Sequence, residues 1–582
     1  MITILKILKS KLPLIILLII ICLSIFLRLY RLNDTPPGLY PDIAINGNDA
    51  LDTIKTGQLK LFYPENNGRE GLFMWLISLS FLIFGASVWA IRIVSAVIGI
   101  LTIFGIYLLG KELFTDHTEQ QADSAERKTK AKETSWVDSI TAVLTPANVI
   151  GLLSALLLAF SFWHINFSRM GFRVIMVPFI LAYFGYFFFH GFRKNRILSL
   201  VISGIFFGLG FYTYIGFRMA VLILPFILIP YLLKSIKEKT INKFITYALW
   251  FLGAIFVTAL PIGIYFLTHF GDFIGRASGV SIFSQLSPIK AFFISLFSHL
   301  LMFNARGDFN WRHNFSGLPM LPFSLGILFI TGIVMSVVRF IRSVREKNYH
   351  KIAIYSFIFA GSFSSLLPGI LTIEGIPHDL RVLGVVPFVY ILSAIGGLYL
   401  FNLLYRNTSK KYLVILAGIL LISSVCYSQK DLYFEKWGKN PEVINAFSNN
   451  YVELGNYLNS VEDGIKLYVI VNQDGVRVPY PNGLPVAAQT PIFIERVKFQ
   501  EPRAMYLYYN GYDFTDPGPT GYPALNSLDK INPKDRAIII PMGQNDPDLF
   551  VTLLRKFPEG HFWKAGSFMM FRLNFNIDPV LE

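Results

Sequence analysis

The sequence predicts a polytopic α-helical membrane protein: about 11 spans, an outer interfacial helix, and a C-terminal extracytoplasmic α/β domain. Three observations predict it. Of 582 residues, 53% are hydrophobic and only 15% charged, whereas a soluble domain is usually about 25% charged. Apolar runs near spanning length recur along the chain. Lys and Arg collect in alternate connections between those runs. A cytosolic enzyme, a disordered protein and a collagen-like fibre are excluded on these grounds.

The first run, 12–27, follows Lys6, Lys9 and Lys11 and leads into Arg28 and Arg31 without a small-residue cleavage site. It reads as an uncleaved first span with a cytoplasmic N-terminus. Ten more runs follow, at 88–110, 147–163, 174–190, 197–214, 218–233, 244–268, 321–338, 352–371, 382–405 and 412–428. Connections on the starting side hold 23 Lys/Arg in 82 residues, against 11 in 117 on the other side. That bias orients the chain in a plasma membrane. It also accounts for the net charge of +15 without nucleic-acid binding. Residues 71–84 are apolar but too short to span, and counting them as a span would put the Lys-rich 127–132 outside. They are expected as a helix lying at the outer surface. The segment 115–139 reads as a cytoplasmic insertion.

An odd span count places the C-terminus outside, giving a transmembrane domain over 1–428 and a soluble one over 429–582. In the latter, Ile465–Val471 and Ala537–Pro541 read as strands, and Tyr451–Leu458 and Leu549–Phe557 as amphipathic helices. Cys22 and Cys426 both lie in apolar runs, so neither a disulfide framework nor a cysteine metal site is expected. There is no internal repeat of the kind inverted-repeat transporters carry.

The unusual polar residues lie in the outer loops. In the first, Pro41 can open a helix on which Asp42, Asn46 and Asp49 share a face. Asp42 there is either a first-turn acid that stabilises the helix start or a functional carboxylate. The same loop ends in Glu65, Arg69 and Glu70. In the second, Arg169 and Arg173 precede a span, where guanidinium groups and a helix N-terminus can together hold a phosphate or snorkel to headgroups. Arg218 and Arg92 allow the same two readings. Later outer loops carry His299, Asp308, Arg312 and His313, then Glu374, His378 and Arg381. No HExxH or paired-histidine motif supports a dedicated zinc site, which leaves the metal unknown and a carboxylate site for magnesium or manganese open.

These segments resemble the GT-C glycosyltransferases, polytopic enzymes related to protein O-mannosyltransferases and to the aminoarabinose transferase of lipid A. YPDIAINGNDAL, with Asp42, resembles the family's acidic first-loop motif. GREGLFMWLISLSFLIFG resembles its second, and WAIRIVSAVIGILTIFGIYLLGKELF, with Arg92 and Ser95, its Leu-Arg-x-x-Ser-Ala span. FSRMGFRVIMVPF resembles bacterial relatives. One position departs: Ile43 follows Asp42 where the family commonly has Glu, so Glu65 or Glu70 supplies the second carboxylate or this branch does without it. The resemblance implies inverting transfer of a sugar from a polyprenyl-phosphate donor, undecaprenyl phosphate in a bacterium, to a lipid, glycan or protein acceptor at the outer face. It implies catalytic Asp42 and Glu70, and donor-phosphate ligands Arg69, Arg169, Arg173 and Arg218. Substrate contacts are expected from Asn46, Asp49, Glu65, His378 and Arg381. The resemblance fixes no cofactor and leaves a divalent metal open. A ligase or polymerase of lipid-linked glycans, or a flippase for a lipid-linked sugar, are the alternatives; the one-sided placement of polar residues disfavours the flippase.

Overall fold

The computed structural model describes residues 2–115, 144–473, 475–478, 483–509 and 528–575. Most of the expected insertion 115–139 lies outside them. The described chain forms two compact units. One comprises Met1–Thr35 with Arg92–Lys439, and the other Pro36–Ile91 with Asn440–Glu582.

The first unit is helical. Among the described residues of the chain, nine helices are long and apolar enough to cross a membrane, and ten with the bent pair Pro146–Phe160 and Phe162–Met170. The bend of 61° falls at Ser161, whose side chain accepts the His164 amide and caps the second helix. The expected run at 197–214 is only a 14-residue helix, Ile197–Gly210, and falls short of spanning length by itself. The last long helix continues to Trp437 through the π-helical turn Leu432–Trp437, past the expected boundary at 428. Helix Leu383–Asn407 is mostly buried, whereas Ile241–Thr268 is mostly outward-facing. The outward side chains of the latter include Leu249, Phe256, Val257 and Leu267. An apolar exterior is what lipid requires, so the chain is a multi-pass membrane protein. Glycines permit one close helix contact. A Cβ on Gly332 would lie 1.8 Å from the Leu392 carbonyl oxygen, and one on Gly396 2.0 Å from that of Leu328. Only hydrogen at both positions lets Phe323–Arg345 and Leu383–Asn407 approach this closely.

The second unit is built on a five-stranded sheet in the spatial order Met505–Tyr508, Lys466–Val471, Ala537–Pro541, Phe568–Leu573, His561–Ala565. The first three strands are parallel and the last two join antiparallel. Both expected strands are present, and they alternate in the way a sheet covered on both faces demands. Leu467, Val469 and Val471 face Leu454, Leu458 and Ile492 of the helices Asn449–Ser460 and Gln489–Phe499. Tyr468 and Ile470 face Leu549 and Leu553 of Pro547–Lys556.

The first outer loop belongs to this unit. Its helix Pro41–Thr56 starts on Pro41 and ends on Gly57 at φ 70°. Its short hairpin, Phe62–Tyr63 with Arg69–Glu70, turns through Asn66, Asn67 and Gly68, all at positive φ, residues that tolerate that region. Helix Leu72–Phe84 follows, 13 residues long, as its length in the sequence required. Polar contacts fasten helix Pro41–Thr56 to helix Gln489–Phe499. Asn48 Nδ2 donates to Gln489 Oε1 at 2.9 Å, and Arg496 Nη2 to Asp52 Oδ1 at 2.5 Å. A Cβ on Gly47 would lie 2.6 Å from the Phe493 ring, so that approach depends on glycine.

Candidate active site

Within the second unit, Asp42 sits in the first turn of helix Pro41–Thr56. It is half-buried and accepts a hydrogen bond from Asn66 Nδ2 at 2.9 Å. The left-handed turn that carries Asn66 thus aims its amide at the helix start. One turn on, Asn46 Oδ1 accepts from Arg69 Nη1 at 2.9 Å. One further turn on, Asp49 Oδ2 lies 2.5 Å from the same Nη1. The Arg69 Nε donates to the Glu65 carbonyl, and its guanidinium stacks over the Tyr63 ring. Asp42, Asn46 and Asp49 therefore do share a face, and Glu65 and Arg69 close on it. Glu70 is buried in the hairpin strand.

Burial pushes Asp49 up to about 6, even though Arg69 pulls it down. Asp49 and Arg69 spend much of their charge on each other. Arg69 is 1% exposed, with Nη1 and Nε engaged and Nη2 without a hydrogen-bond partner among the described residues. Asp42 keeps an accessible carboxylate.

Within the first unit, Arg169 is held differently from Arg69. It is fully buried. Its Nη1 donates to the Leu27 carbonyl at 2.8 Å, its Nη2 to Tyr30 at 2.7 Å and Arg31 at 3.0 Å, and its Nε and Nη2 to Thr35. Tyr433 and Phe434 stack on its guanidinium plane. Arg92 donates to the Leu32 and Asn33 carbonyls, and Arg28 to the Ala159 carbonyl and to His164 Nδ1. A helix end leaves its last carbonyls without partners. Arg92 and Arg169 supply the donors as the chain leaves the first span. Arg169 is a structural clamp, not an open phosphate site.

Arg173 and Arg218 remain half-buried at the starts of helical stretches, Arg173–Ile175 leading into Met176–Lys194, and Ile215–Leu222. Arg173 stacks over Tyr214. Arg218 stacks over Phe266 and Phe273 and donates to the Phe273 carbonyl at 2.6 Å. Arg381 pairs with Glu374 at 2.5 Å. It lines a narrow crevice with Tyr214, Ser364 and Ser365.

A further group was not assembled in the sequence reading. Asp308, His313, His378 and Asp379 each turn one potential metal-ligand atom toward the others, all within 4.8 Å. His313 Nδ1 lies 3.1 Å from Asp308 Oδ2 and 3.5 Å from Asp379 Oδ1. Burial pushes Asp308 up, but His313 and His378 outweigh it and hold the group below the usual carboxylate range. Burial and the neighbouring Asp308 push Asp379 well above that range. Burial lowers both histidines.

The sequence matches the profile of the family described as dolichyl-phosphate-mannose-protein mannosyltransferase over residues 72–122 and 140–264. No curated protein matches the chain. Among solved structures, it is similar to ArnT from Cupriavidus metallidurans bound to undecaprenyl phosphate. The TM-score is 0.52 at 12% identity, over 97% of this chain and 98% of that one. ArnT from the same organism in the apo state gives 0.51 at 12%, over 98% of each. The oligosaccharyltransferase AglB from Archaeoglobus fulgidus, in complex with an inhibitory peptide and a dolichol-phosphate, gives 0.49 at 14%, over 98% of this chain and 75% of that one. At these identities the likeness to ArnT is one of fold.

Proposed function

We propose that the chain is a GT-C-type membrane glycosyltransferase, a reading supported by the family profile over residues 72–122 and 140–264 and by the ArnT-like fold, and that it transfers a sugar from a polyprenyl-phosphate donor to an acceptor hydroxyl. The transfer is a single displacement with inversion at the anomeric carbon. The acceptor oxygen forms the new bond to that carbon as the bond to phosphate oxygen breaks. The electron pair leaves with polyprenyl phosphate. Asp42 takes the acceptor proton as general base. Arg173 and Arg218 hold the phosphate and stabilise its growing charge. Glu70 is the candidate second carboxylate, and Arg381 a candidate polar contact for the substrate. The active face is extracytoplasmic, with the N-terminus in the cytoplasm.

One observation carries this reading. Of the aspartates on the helix Pro41–Thr56 face, Asp49 is tied to Arg69 while Asp42 is only steered by a neutral amide. A base must be oriented without being neutralised, and Asp42 meets that condition. Arg173 and Arg218 support the phosphate role through their place at helix starts, the ends that favour anions. The experiment is donor binding and transfer on purified protein with polyprenyl-phosphate mannose, glucose and aminoarabinose. Arg173→Ala should weaken donor binding about tenfold or more while transfer at saturating donor persists. Unchanged donor affinity would remove Arg173 from the phosphate site.

A further inference from the structure

Of the cluster Asp308, His313, His378 and Asp379, the sequence offered His378 as a substrate contact, and Arg381 stands two residues beyond Asp379; the transfer step proposed above assigns no role to any of the four. Its ligand atoms come from two outer loops. Asp308 and His313 belong to the stretch between helices Pro288–Leu301 and Phe323–Arg345. His378 and Asp379 follow helix Tyr349–Ile370. We propose that these four residues form a zinc site that straps the two loops together.

Three observations converge on a cation. First, Asp379 is fully buried, and among the described residues neither of its carboxylate oxygens nor His378 Nδ1 has a partner in full hydrogen-bond geometry; around them stand Asp308, the amides of Asp379 and Leu380, and the His313 ring at 3.5 Å, with His378 Nδ1 3.7 Å from Asp308. Native interiors rarely leave such atoms unserved. Second, two carboxylates point at one spot. His313 is the titratable partner facing both; Arg381, close in sequence, is turned to Glu374. A divalent ion compensates both acids where one imidazole does not. Third, the surroundings are arranged to hold the ligands. His299 donates through Nδ1 to the Ser295 carbonyl, which leaves Nε2 to accept the His378 amide at 3.2 Å. Asp308 Oδ1 accepts the Asn310 amide and its Oδ2 the Asp379 amide. Asn166 Nδ2 holds the Arg312 and His313 carbonyls, and Phe167 and Phe172 wall the His313 ring. Such outer partners fix the orientation of metal ligands.

The donor set chooses the ion. Two imidazole nitrogens and two carboxylate oxygens suit zinc better than magnesium or calcium, which prefer oxygen alone. Ligand bonds of about 2.0–2.1 Å make a tetrahedron with edges of about 3.3 Å, so ligand atoms within 4.8 Å close on an ion with shifts of about an ångström. The role is structural, and the claim stands whether or not the chain transfers sugar.

The test is elemental analysis of full-length protein purified in detergent without chelator. About one zinc per chain is expected, lost in Asp379→Asn and His313→Ala and kept in Glu374→Gln. Because those two variants may misfold for other reasons, the wild type is also stripped with chelator and titrated with zinc, magnesium and manganese, following metal uptake and Tm. Zinc uptake near one per chain, with recovery of a lowered Tm, supports the site. Failure to bind zinc as purified and after titration, or uptake of magnesium in its place, overturns it.

Discussion

Two regions rich in arginine solve the burial of a guanidinium differently. In the second unit, Arg69 meets the Asp49 carboxylate and the Asn46 amide oxygen. In the first unit, Arg169 and Arg92 donate to backbone carbonyls at the end of the first span, and aromatic rings cover Arg169. The first pair balances charge with charge, and the balance depends on pH. The second balances charge with a row of carbonyl dipoles and does not titrate on the carbonyl side. The lesson is functional: an arginine close to a candidate site in sequence binds substrate only if its donors are still open, and Arg169, whose Nε, Nη1 and Nη2 all donate to carbonyls, does not meet that condition, whereas Arg69 keeps Nη2 unengaged.

The largest expected break is Arg169→Ala. It strips the Arg169 donors from the Leu27, Tyr30 and Thr35 carbonyls at once, and each buried acceptor left unserved costs about 1–3 kcal/mol. Folded protein should fall sharply in size-exclusion yield, and Arg169→Lys should recover little, because one ammonium cannot span the row. Next comes Arg69→Ala, which leaves Asp49 in low dielectric without its partner, at a cost of about 3 kcal/mol. Pairing Arg69→Met with Asp49→Asn should restore much of that stability. No second substitution can play that part for Arg169. Equal rescue at both places would end the comparison.

Acidity sharpens it further. Asp49 titrates at about 6 in the folded chain, above its ordinary 3.8. The folded state therefore holds this proton more firmly than the unfolded one. The stability it adds is complete below the ordinary value and is lost as pH rises through 6. The Tm difference between wild type and Asp49→Asn should shift against wild type between pH 4.5 and pH 7. A difference that stays flat would show that Asp49 is not buried as described. The smallest effect is expected for Asp52→Asn. Its bond to Arg496 is partly exposed, so the loss should be about 1 kcal/mol or less by thermal unfolding.

The spans were legible because lipid demands long apolar runs, and the strands Lys466–Val471 and Ala537–Pro541 because burial on both faces leaves an uninterrupted apolar segment. The shared face of Asp42, Asn46 and Asp49 was legible because helix geometry alone decides it. What Arg169 bonds to was not, since a backbone carbonyl has no signature in sequence. The joining of the first outer loop to the C-terminal α/β unit was equally hidden. It rests on Asn48, Asp52, Gln489 and Arg496, side chains far apart in sequence and individually ordinary. Asp308 and His313 were visible singly, but their partners arrive two long helices later, a spacing that no short motif covers.

The most direct test of sugar transfer by Asp42 is a transfer assay on purified wild type and Asp42→Asn with labelled polyprenyl-phosphate sugars and membrane extract as acceptor. The account predicts label transfer by wild type and a loss of about 10²–10⁴-fold in the variant, at unchanged Tm and donor affinity. Full transfer by Asp42→Asn would contradict it.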